Sequence, residues 1–251
     1  MDPVREPPVA LIPAAGRARR LGEPAGSKEV LGVGPSERPV IRYLLDGLAR
    51  AGAEVAYVVT RAEKQDLVRC LGDGEEAGLP LAYVVVPETR SICETLDRAR
   101  PFVRGRSVVL GFPDILFRPE DAFARIVARY RGSDAHAVLA AVPTDRPQKA
   151  DLVRTDREGR VTAIEIKPRR TDLRFTWIGA VWGPEVTELQ HELVREGRTG
   201  AGGRELYPSD VLLDALDRGL QVEALHLPEG RHLDVGTPED LERAAGWPGR
   251  G

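Results

Sequence analysis

The stretch Val9-Ala10-Leu11-Ile12-Pro13-Ala14-Ala15-Gly16 decides the fold class of this chain. A short apolar run that ends in small residues is typical of a buried strand entering a tight loop. Apolar residues at helical spacing, followed by a Gly stop, then predict a helix over residues 39–52. A strand, a loop and a helix in this order begin the βαβ pattern from which parallel sheets are built.

The rest of the chain repeats this alternation of strands and helices. The periodicity predicts strands over 54–60, 81–86, 107–110, 135–142, 177–182 and 221–227, a hairpin over 151–166, and helices over 63–71, 92–99, 119–130, 186–195, 209–218 and 238–245. We therefore expect an α/β fold with a Rossmann-like mixed, mostly parallel sheet flanked by helices. The hairpin makes the second half of the sheet the more antiparallel one.

The composition limits the kinds of protein this chain can be. Its 251 residues carry 36 Lys and Arg against 39 Asp and Glu, so the net charge of 36 − 39 = −3 shows no nucleic-acid footprint. The two cysteines, Cys70 and Cys93, have no partners at metal-site spacing, which argues against a zinc site and fits a reducing compartment. The sequence shows neither a signal peptide nor a run of about 18 apolar residues. We expect a cytoplasmic protein that binds no membrane.

The domain organisation follows from the absence of an internal repeat or low-complexity linker. Residues 1–8 are polar and Pro-rich and are expected to be a flexible N-terminus. Residues 9–245 are expected to form a single domain.

The loop after the first strand is a candidate anion site. Small residues at Ala14, Ala15 and Gly16 let backbone N–H groups approach a ligand closely. Arg20 and Lys28 add cations that match phosphate oxygens. The spacing fits neither a Walker loop nor a dinucleotide-binding fingerprint. The alternative is a surface loop with solvated arginines.

Two carboxylates are candidate metal ligands. Asp114 follows the strand over 107–110, and the carboxyl ends of parallel strands are where ligands bind in open sheets. Asp234 precedes a Thr237-Pro238 helix start, in which Thr237 is an N-cap with Asp240 at the third helical position. That capping pattern does not explain Asp234, so either carboxylate could hold Mg²⁺. The alternative for Asp114 is a turn residue or a helix N-cap.

A charged pair ends the predicted hairpin. In a strand, Glu165 and Lys167 share one face, while Ile164 and Ile166 occupy the other. The apolar face would pack, and the charged face would point into a cleft. The alternative is a salt bridge on an edge strand.

In this order and spacing, the motifs resemble those of the sugar-1-phosphate nucleotidyltransferases, the NDP-sugar pyrophosphorylases, in particular the glucose-1-phosphate thymidylyl- and uridylyltransferases. The matching segments are the A-A-G-x-G-T-R-L loop at 14–21 with the lysine at Lys28, the G-x-A-x-A helix at 91–96, the L-G-D aspartate within 110–114, the V-x-x-I-x-E-K-P strand at 161–168, the strand glycine at Gly179, the Glu before a T-D helix at Glu205, and the D-x-G-T-P-x-D-L segment at 234–241. The resemblance extends from about Val9 to Ala245 and implies the nucleotide-diphospho-sugar transferase fold.

The resemblance implies an enzyme that condenses an NTP, dTTP or UTP, with a sugar 1-phosphate to give an NDP-sugar and pyrophosphate, with Mg²⁺ as cofactor. It implies an NTP-binding half over 9–142 and a sugar-phosphate-binding half over 143–245. The implied catalytic residues are Arg20, Lys28 and Lys167, the metal ligands Asp114 and Asp234, the nucleotide-binding residues Ala14, Ala15, Gly16, Arg17 and Ser91, and the sugar-binding residues Glu165, Gly179 and Glu205.

Several positions depart from the family pattern. The second glycine of the loop is Ala18, the pyrimidine-reading Gln position holds Val86, the Glu directly before the lysine is Ile166, and Phe112-Pro113 is inserted before Asp114. Two alternatives therefore stay open: a non-catalytic nucleotide-sugar-binding regulatory homologue, and a nucleotidyltransferase with a non-sugar phosphate acceptor such as an alditol phosphate. A homo-oligomer is neither required nor excluded.

Overall fold

The computed structural model describes residues 6–16 and 26–247. The strands are β1 (Val9–Pro13), β2 (Gly32–Val33), β3 (Arg38–Pro39), β4 (Ala56–Thr60), β5 (Leu81–Val85), β6 (Val108–Gly111), β7 (Ile115–Arg118), β8 (Ala137–Pro143), β9 (Asp151–Thr155), β10 (Val161–Ile166), β11 (Phe175–Trp182), β12 (Val222–His226) and β13 (Arg231–Asp234). The α-helices are α1 (Val40–Arg50), α2 (Gln65–Leu71), α3 (Ile92–Asp97), α4 (Arg100–Val103), α5 (Ala122–Arg131), α6 (Pro184–Arg195), α7 (Pro208–Asp217) and α8 (Pro238–Ala245). None of these helices is long and apolar enough to cross a membrane.

A nine-stranded sheet forms the centre of the molecule. Strands β6, β1, β4 and β5 lie side by side and are all parallel. The long strand β11 runs antiparallel to both of its neighbours, β6 and β8, and joins the parallel half to the rest of the sheet. Beyond the end of β6, the β9 strand of the β9–β10 hairpin pairs with β11. Strand β12 pairs in parallel with β8. The sheet is thus parallel in its first half and more antiparallel in its second, as predicted.

Both faces of the sheet are buried, as the unbroken apolar run in β1 requires. Alternate β1 side chains point to opposite faces, so Val9 and Leu11 pack in one core cluster, and Ala10 and Ile12 pack in the other. The first cluster is covered by apolar residues of α3, α6 and α7. The second is covered by α1, α2 and α5. This three-layer arrangement confirms the predicted α/β fold class.

A smaller two-stranded sheet, β7 with β13, lies beside the main one and was missing from the sequence prediction. Both strands have only four residues, too few to show a clear period of two. Leu116 of β7 and Leu233 of β13 pack with Trp247 in a third apolar cluster. The cluster holds the last helix, α8, against the short β2–β3 hairpin, which was also not predicted. The predicted Thr237 N-cap of α8 is confirmed, because its Oγ1 accepts a hydrogen bond from the Asp240 N–H.

Candidate active site

A cleft of about 590 Å³ opens at the carboxyl ends of the parallel strands. The loops that follow β1, β4, β5 and β6 contribute Gly16, Arg61, Thr89 and Asp114 to its wall. This edge of an open α/β sheet is where ligands bind, because several loops converge there without side chains of the sheet filling the space.

The cleft brings together eight of the predicted site residues. These are Ala15, Gly16, Lys28, Ser91, Asp114, Lys167, Glu205 and Asp234. Three others, Ala14, Glu165 and Gly179, are not on its wall. Arg17 and Arg20 lie outside the described residues.

The two predicted metal carboxylates, Asp114 and Asp234, are brought together by the β7–β13 pairing. Asp234 lies opposite Ile115 in the antiparallel register, and the next N–H, that of Val235, donates to the carbonyl oxygen of Asp114 at 2.8 Å. Helix α5 begins only at Ala122, so Asp114 is a loop residue at the strand end and not a helix N-cap.

The donor set at this pair fits Mg²⁺ with substrate present. Within residues 6–16 and 26–247, no group of three or more His, Cys, Asp or Glu side chains is arranged to hold a metal ion. Mg²⁺ is commonly held by one or two carboxylates together with substrate phosphates, so Asp114 and Asp234 would suffice only when a phosphate supplies further oxygens. Both side chains reach the cleft, where such a phosphate would lie.

Lys28 contributes a cation to the same part of the cleft. Its ammonium donates a hydrogen bond to Asp114, and each side chain is about one-fifth exposed, 21%. Burial works against the charge on Lys28, but the charge and hydrogen bond of Asp114, with the charges of Glu29 and Asp234, outweigh burial and raise the pKa of Lys28. A permanent cation beside two carboxylates is an arrangement that matches phosphate oxygens and a metal.

The segment that carries Lys28 is tied down on both sides of it. The N–H and Oγ of Ser27 donate to the two carboxylate oxygens of Asp66 at 2.5 and 2.8 Å. Glu29 is 1% exposed, and both its carboxylate oxygens lie 2.8 Å from the ammonium nitrogen of Lys64. Sequence reasoning missed these contacts, because both partners lie at the start of α2, Asp66 in its first turn and Lys64 at its N-cap, in a distant part of the chain.

Lys167 reaches the cleft because the backbone leaves the strand at this residue. Its φ of 45° lies in the left-handed region and ends β10 at Ile166. Its ammonium lies 4.2 Å from the ring centroid of Tyr207, a cation–π contact.

Glu165 does not accompany Lys167 into the cleft. It remains in β10, 3.7 Å from the guanidinium of Arg154 on the neighbouring strand. The expectation that strand alternation points both charges into the cleft is therefore wrong, since the alternation stops where β10 ends. For Glu165 the salt-bridge alternative describes the structure.

Gly179 lies in the sheet, paired with Gly111 of β6. A Cβ added at Gly179 would lie 2.4 Å from a ring carbon of Phe123 and 2.9 Å from the carbonyl oxygen of Leu110. Close packing of α5 on β11 thus accounts for this glycine without a ligand.

Ser91 begins α3 at the cleft. Its Oγ accepts a hydrogen bond from the Glu94 N–H at 3.0 Å, the N-cap geometry expected of a serine before a helix. The hydroxyl is therefore engaged by its own helix.

One part of the cleft wall contains residues that the sequence did not single out. We call it the Lys167 end, and it is lined by Asp151, Lys167, Trp177, Glu205 and Tyr207. Asp151, Trp177 and Tyr207 were missed, because each lies in an ordinary strand or at a helix start with no motif of its own.

The family model for nucleotidyl transferases matches residues 9–246, nearly the whole chain. The chain belongs to the nucleotidyl transferase family. The predicted membership among the sugar-1-phosphate nucleotidyltransferases is confirmed, since relatives of this kind match over most of the chain.

Two relatives and one solved structure illustrate how similar this chain is to known nucleotidyl transferases in sequence and in fold. The chain is 31% identical to a glucose-1-phosphate thymidylyltransferase of Actinoplanes sp., over 89% of this chain and 71% of that protein. It is also 31% identical to the CMP-5'-(3-aminopropyl)phosphonate synthase of Streptomyces rubellomurinus, over 74% of this chain and 29% of that protein. A UDP-glucose pyrophosphorylase complexed with UDP-glucose has the same fold, with a TM-score of 0.79, 18% identity, and coverage of 95% of this chain and 97% of that one.

Several of the curated relatives are considerably longer than the region that this chain matches. The chain spans less than two thirds of these relatives, from 29% to 64% of their length. The matched region holds the cleft described above.

Proposed function

We propose that this nucleotidyl transferase condenses a nucleoside triphosphate, either dTTP or UTP, with a sugar 1-phosphate to give an NDP-sugar and pyrophosphate. One observation carries the proposal: a single cleft is lined by two sets of charged side chains that suit phosphate groups. Lys28, Asp114 and Asp234 form one set, and Lys167 marks the other. The names of the relatives, glucose-1-phosphate thymidylyltransferase and UDP-glucose pyrophosphorylase, support the choice of substrates.

The reaction needs positioning and charge neutralisation more than a covalent nucleophile. An oxygen of the sugar phosphate attacks the α-phosphorus of the NTP in line, and pyrophosphate leaves. Lys28, with Arg20, would hold the triphosphate and the leaving pyrophosphate, while Lys167 holds the attacking phosphate. Both anions would then lie in one cleft with their repulsion offset by fixed cations.

Asp114 and Asp234 would hold Mg²⁺ together with the phosphates. When bound, the ion supplies positive charge at the phosphate oxygens in the transition state. The pairing of β7 with β13 keeps the two carboxylates side by side before substrate arrives, so their mutual placement costs nothing at the binding step.

The nucleotide and sugar contacts complete the proposal. Backbone groups of Ala15 and Gly16, with the Ser91 helix start, would contact the base and ribose, along with Ala14 and Arg17. Glu205 would contact the sugar. We assign no ligand contact to Glu165 or Gly179, since neither lines the cleft. Both free cysteines fit the reducing cytoplasm, where we place the enzyme.

The test is a pyrophosphate-release assay with Mg²⁺, run across the common NTPs against a panel of sugar 1-phosphates. We expect turnover with dTTP or UTP, and a Lys167→Met variant with a raised KM for the sugar phosphate. The matched control is Arg169→Met, an exposed cation nearby in sequence that does not line the cleft. Tight NDP-sugar binding without turnover for any pair would contradict the proposal and support a regulatory homologue.

A phosphonate acceptor is the second candidate, because one relative is named CMP-5'-(3-aminopropyl)phosphonate synthase. The same assay, with CTP and 3-aminopropylphosphonate in place of dTTP or UTP and the sugar 1-phosphate, separates the two candidates. Turnover with that pair and none with any sugar 1-phosphate would favour the second.

A further inference from the structure

Asp151 presents a carboxylate to the Lys167 end of the cleft. One of its oxygens, Oδ2, accepts a hydrogen bond from Oγ of Ser209 at 2.6 Å. Ser209 is fully buried and in turn accepts a hydrogen bond from Nε1 of Trp177 at 3.1 Å. This chain of two hydrogen bonds fixes the rotamer of Asp151, because both partners are held in the core.

The second oxygen, Oδ1, is buried but has no hydrogen-bond donor among residues 6–16 and 26–247. Buried carboxylate oxygens are nearly always paired, since an unpaired one has lost its hydration without gaining a donor in exchange. The bond to Ser209 uses only Oδ2, so a purely structural role for the residue does not account for Oδ1. An atom of this kind on the wall of a cleft is suited to a donor supplied by a ligand.

The two cations whose charges act on Asp151, Lys167 and Arg204, also make other contacts. The guanidinium of Arg204 binds both carboxylate oxygens of Asp210 at 2.7 Å, and Lys167 lies over the ring of Tyr207. Burial raises the pKa of Asp151, while the Ser209 hydrogen bond and the charges of Lys167 and Arg204 act in the opposite direction and Asp210 adds to the rise. The carboxyl group thus lies near Lys167, the proposed phosphate ligand, and is hydrogen-bonded to Ser209 of the buried Trp177–Ser209 pair.

We propose that Asp151 determines acceptor specificity, with Oδ1 accepting a hydrogen bond from a hydroxyl or an ammonium on the carbon part of the acceptor. Lys167 would hold the phosphate of the same molecule. The inference rests on the proposed function and deepens it, because it names the group that the acceptor must carry. It also predicts that an alkyl phosphate without such a donor is a poor acceptor.

The test compares Asp151→Asn and Asp151→Ala with the wild type, using glucose 1-phosphate and 2-aminoethyl phosphate as acceptor probes. Asp172→Asn is the matched control, an exposed aspartate paired with Arg154 that does not line the cleft. We expect Asp151→Ala to raise the KM for the acceptor about tenfold or more, the usual effect of losing a hydrogen bond to a charged group, and to leave the KM for the NTP within about twofold. An unchanged acceptor KM, or an equal rise in both KM values, would overturn the inference.

The Asn variant separates the two kinds of donor. It keeps the shape of the side chain but loses the charge, and with its oxygen on Ser209 it turns its NH2 group toward the ligand. A hydroxyl can accept a hydrogen bond from that NH2 group and should tolerate the change, whereas an ammonium cannot and should not. Because Asn also preserves the contact with Ser209, it reports on the ligand even if the Ala variant folds poorly.

A binding measurement keeps this inference distinct from the proposed reaction. The shift in Tm produced by each acceptor probe is measured in wild type, Asp151→Asn and Asp172→Asn. The same shift is measured in Asp151→Ala. A wild-type shift that Asp151→Ala reduces for either probe, or that Asp151→Asn reduces for 2-aminoethyl phosphate, supports the role of Asp151 even if no NTP is turned over, in which case only the proposed reaction fails. A wild type that shows neither a shift nor turnover with either probe overturns the inference.

Discussion

Charge placement at single residues decides what the cleft can bind. Lys28 and Asp114 neutralise each other in the structure, and Asp234 lies next to them. An incoming triphosphate with Mg²⁺ would replace that internal pair by two stronger ones, phosphate with Lys28 and metal with the carboxylates. The internal pair keeps the side chains in place until then.

Removal of either carboxylate charge should therefore abolish most of the activity. We expect Asp114→Asn and Asp234→Asn each to lower kcat by about two orders of magnitude or more at saturating Mg²⁺, since charge stabilisation of the transition state is the main catalytic term. Pyrophosphate release measures the effect, with Asp172→Asn as the control for a lost surface charge. Full activity in both site variants would exclude these residues as metal ligands.

The Ser27–Asp66 contact gives a pH-dependent stability. Burial opposes the charge of Asp66, but the hydrogen bonds from the Ser27 N–H and Oγ outweigh it, so the pKa of Asp66 falls below its ordinary value of 3.8. A lowered pKa in the folded state contributes stability above pH 3.8 that is lost as the pH falls through the folded-state pKa.

We accordingly expect Asp66→Asn to lower the free energy of unfolding by about 1–2 kcal/mol at pH 7. The difference from wild type should shrink below pH 3.8, because the wild-type carboxyl then becomes protonated. Urea denaturation at pH 7 and at pH 3 measures both values. A difference of the same size at the two pH values would show that charge is not the cause.

At the scale of elements, helix α5 packs closely against strand β11 in the sheet beneath the cleft. Gly179 leaves room for the ring of Phe123, which is fully buried. Phe117 of β7 lies against the same ring, with centroids 5.1 Å apart. The two contacts link the main sheet to the strand that follows Asp114.

A methyl group at Gly179 should disturb this packing. We expect Gly179→Ala to destabilise the fold by about 1–3 kcal/mol through overpacking. It should cost less in a Phe123→Leu background, where the clash with the ring is relieved and only the close approach to the Leu110 carbonyl oxygen remains. Gly132→Ala is the control, since its added Cβ would meet nothing closer than 3.6 Å. An equal cost in both backgrounds would show that Phe123 is not the obstacle.

At the scale of the whole molecule, the two halves of the chain share one nine-stranded sheet. Strand β11, from the second half of the chain, pairs with β6 from the first, and β8 spans the point at which the two proposed halves meet. Residues of both halves line the cleft, among them Lys28 from the first half and Lys167 from the second. The two halves share their hydrogen-bonded ladders and both core clusters.

We expect the chain to unfold in a single cooperative transition. Two of the three tryptophans, Trp177 and Trp182, lie in the second half, while Trp247 packs in the third cluster with residues of both halves. Tryptophan fluorescence is therefore weighted toward the second half, while far-UV circular dichroism reports on both. The two denaturation curves should coincide, because neither half can keep its sheet without the other. Separate midpoints would show two folding units.

Local sequence determined the nine strands of the main sheet, the longer helices and the family motifs. The apolar run of β1, the helical periodicity of α1 and the Thr237-Pro238 cap each depend on neighbouring residues, so a reading of the chain finds them. The chemical types at Lys28, Asp114, Lys167 and Asp234 were recognisable for the same reason. Their roles stay predictions.

Only the tertiary structure decided which of these side chains meet. Asp114 and Asp234 are adjacent because β13 pairs with β7 in one particular register, and Asp151 faces the cleft because Ser209 and Trp177 hold it there. The separation of Glu165 from Lys167 depends on a single left-handed residue at the end of β10. Such contacts join segments far apart in the chain, and their energies depend on packing and strand register that no local pattern records.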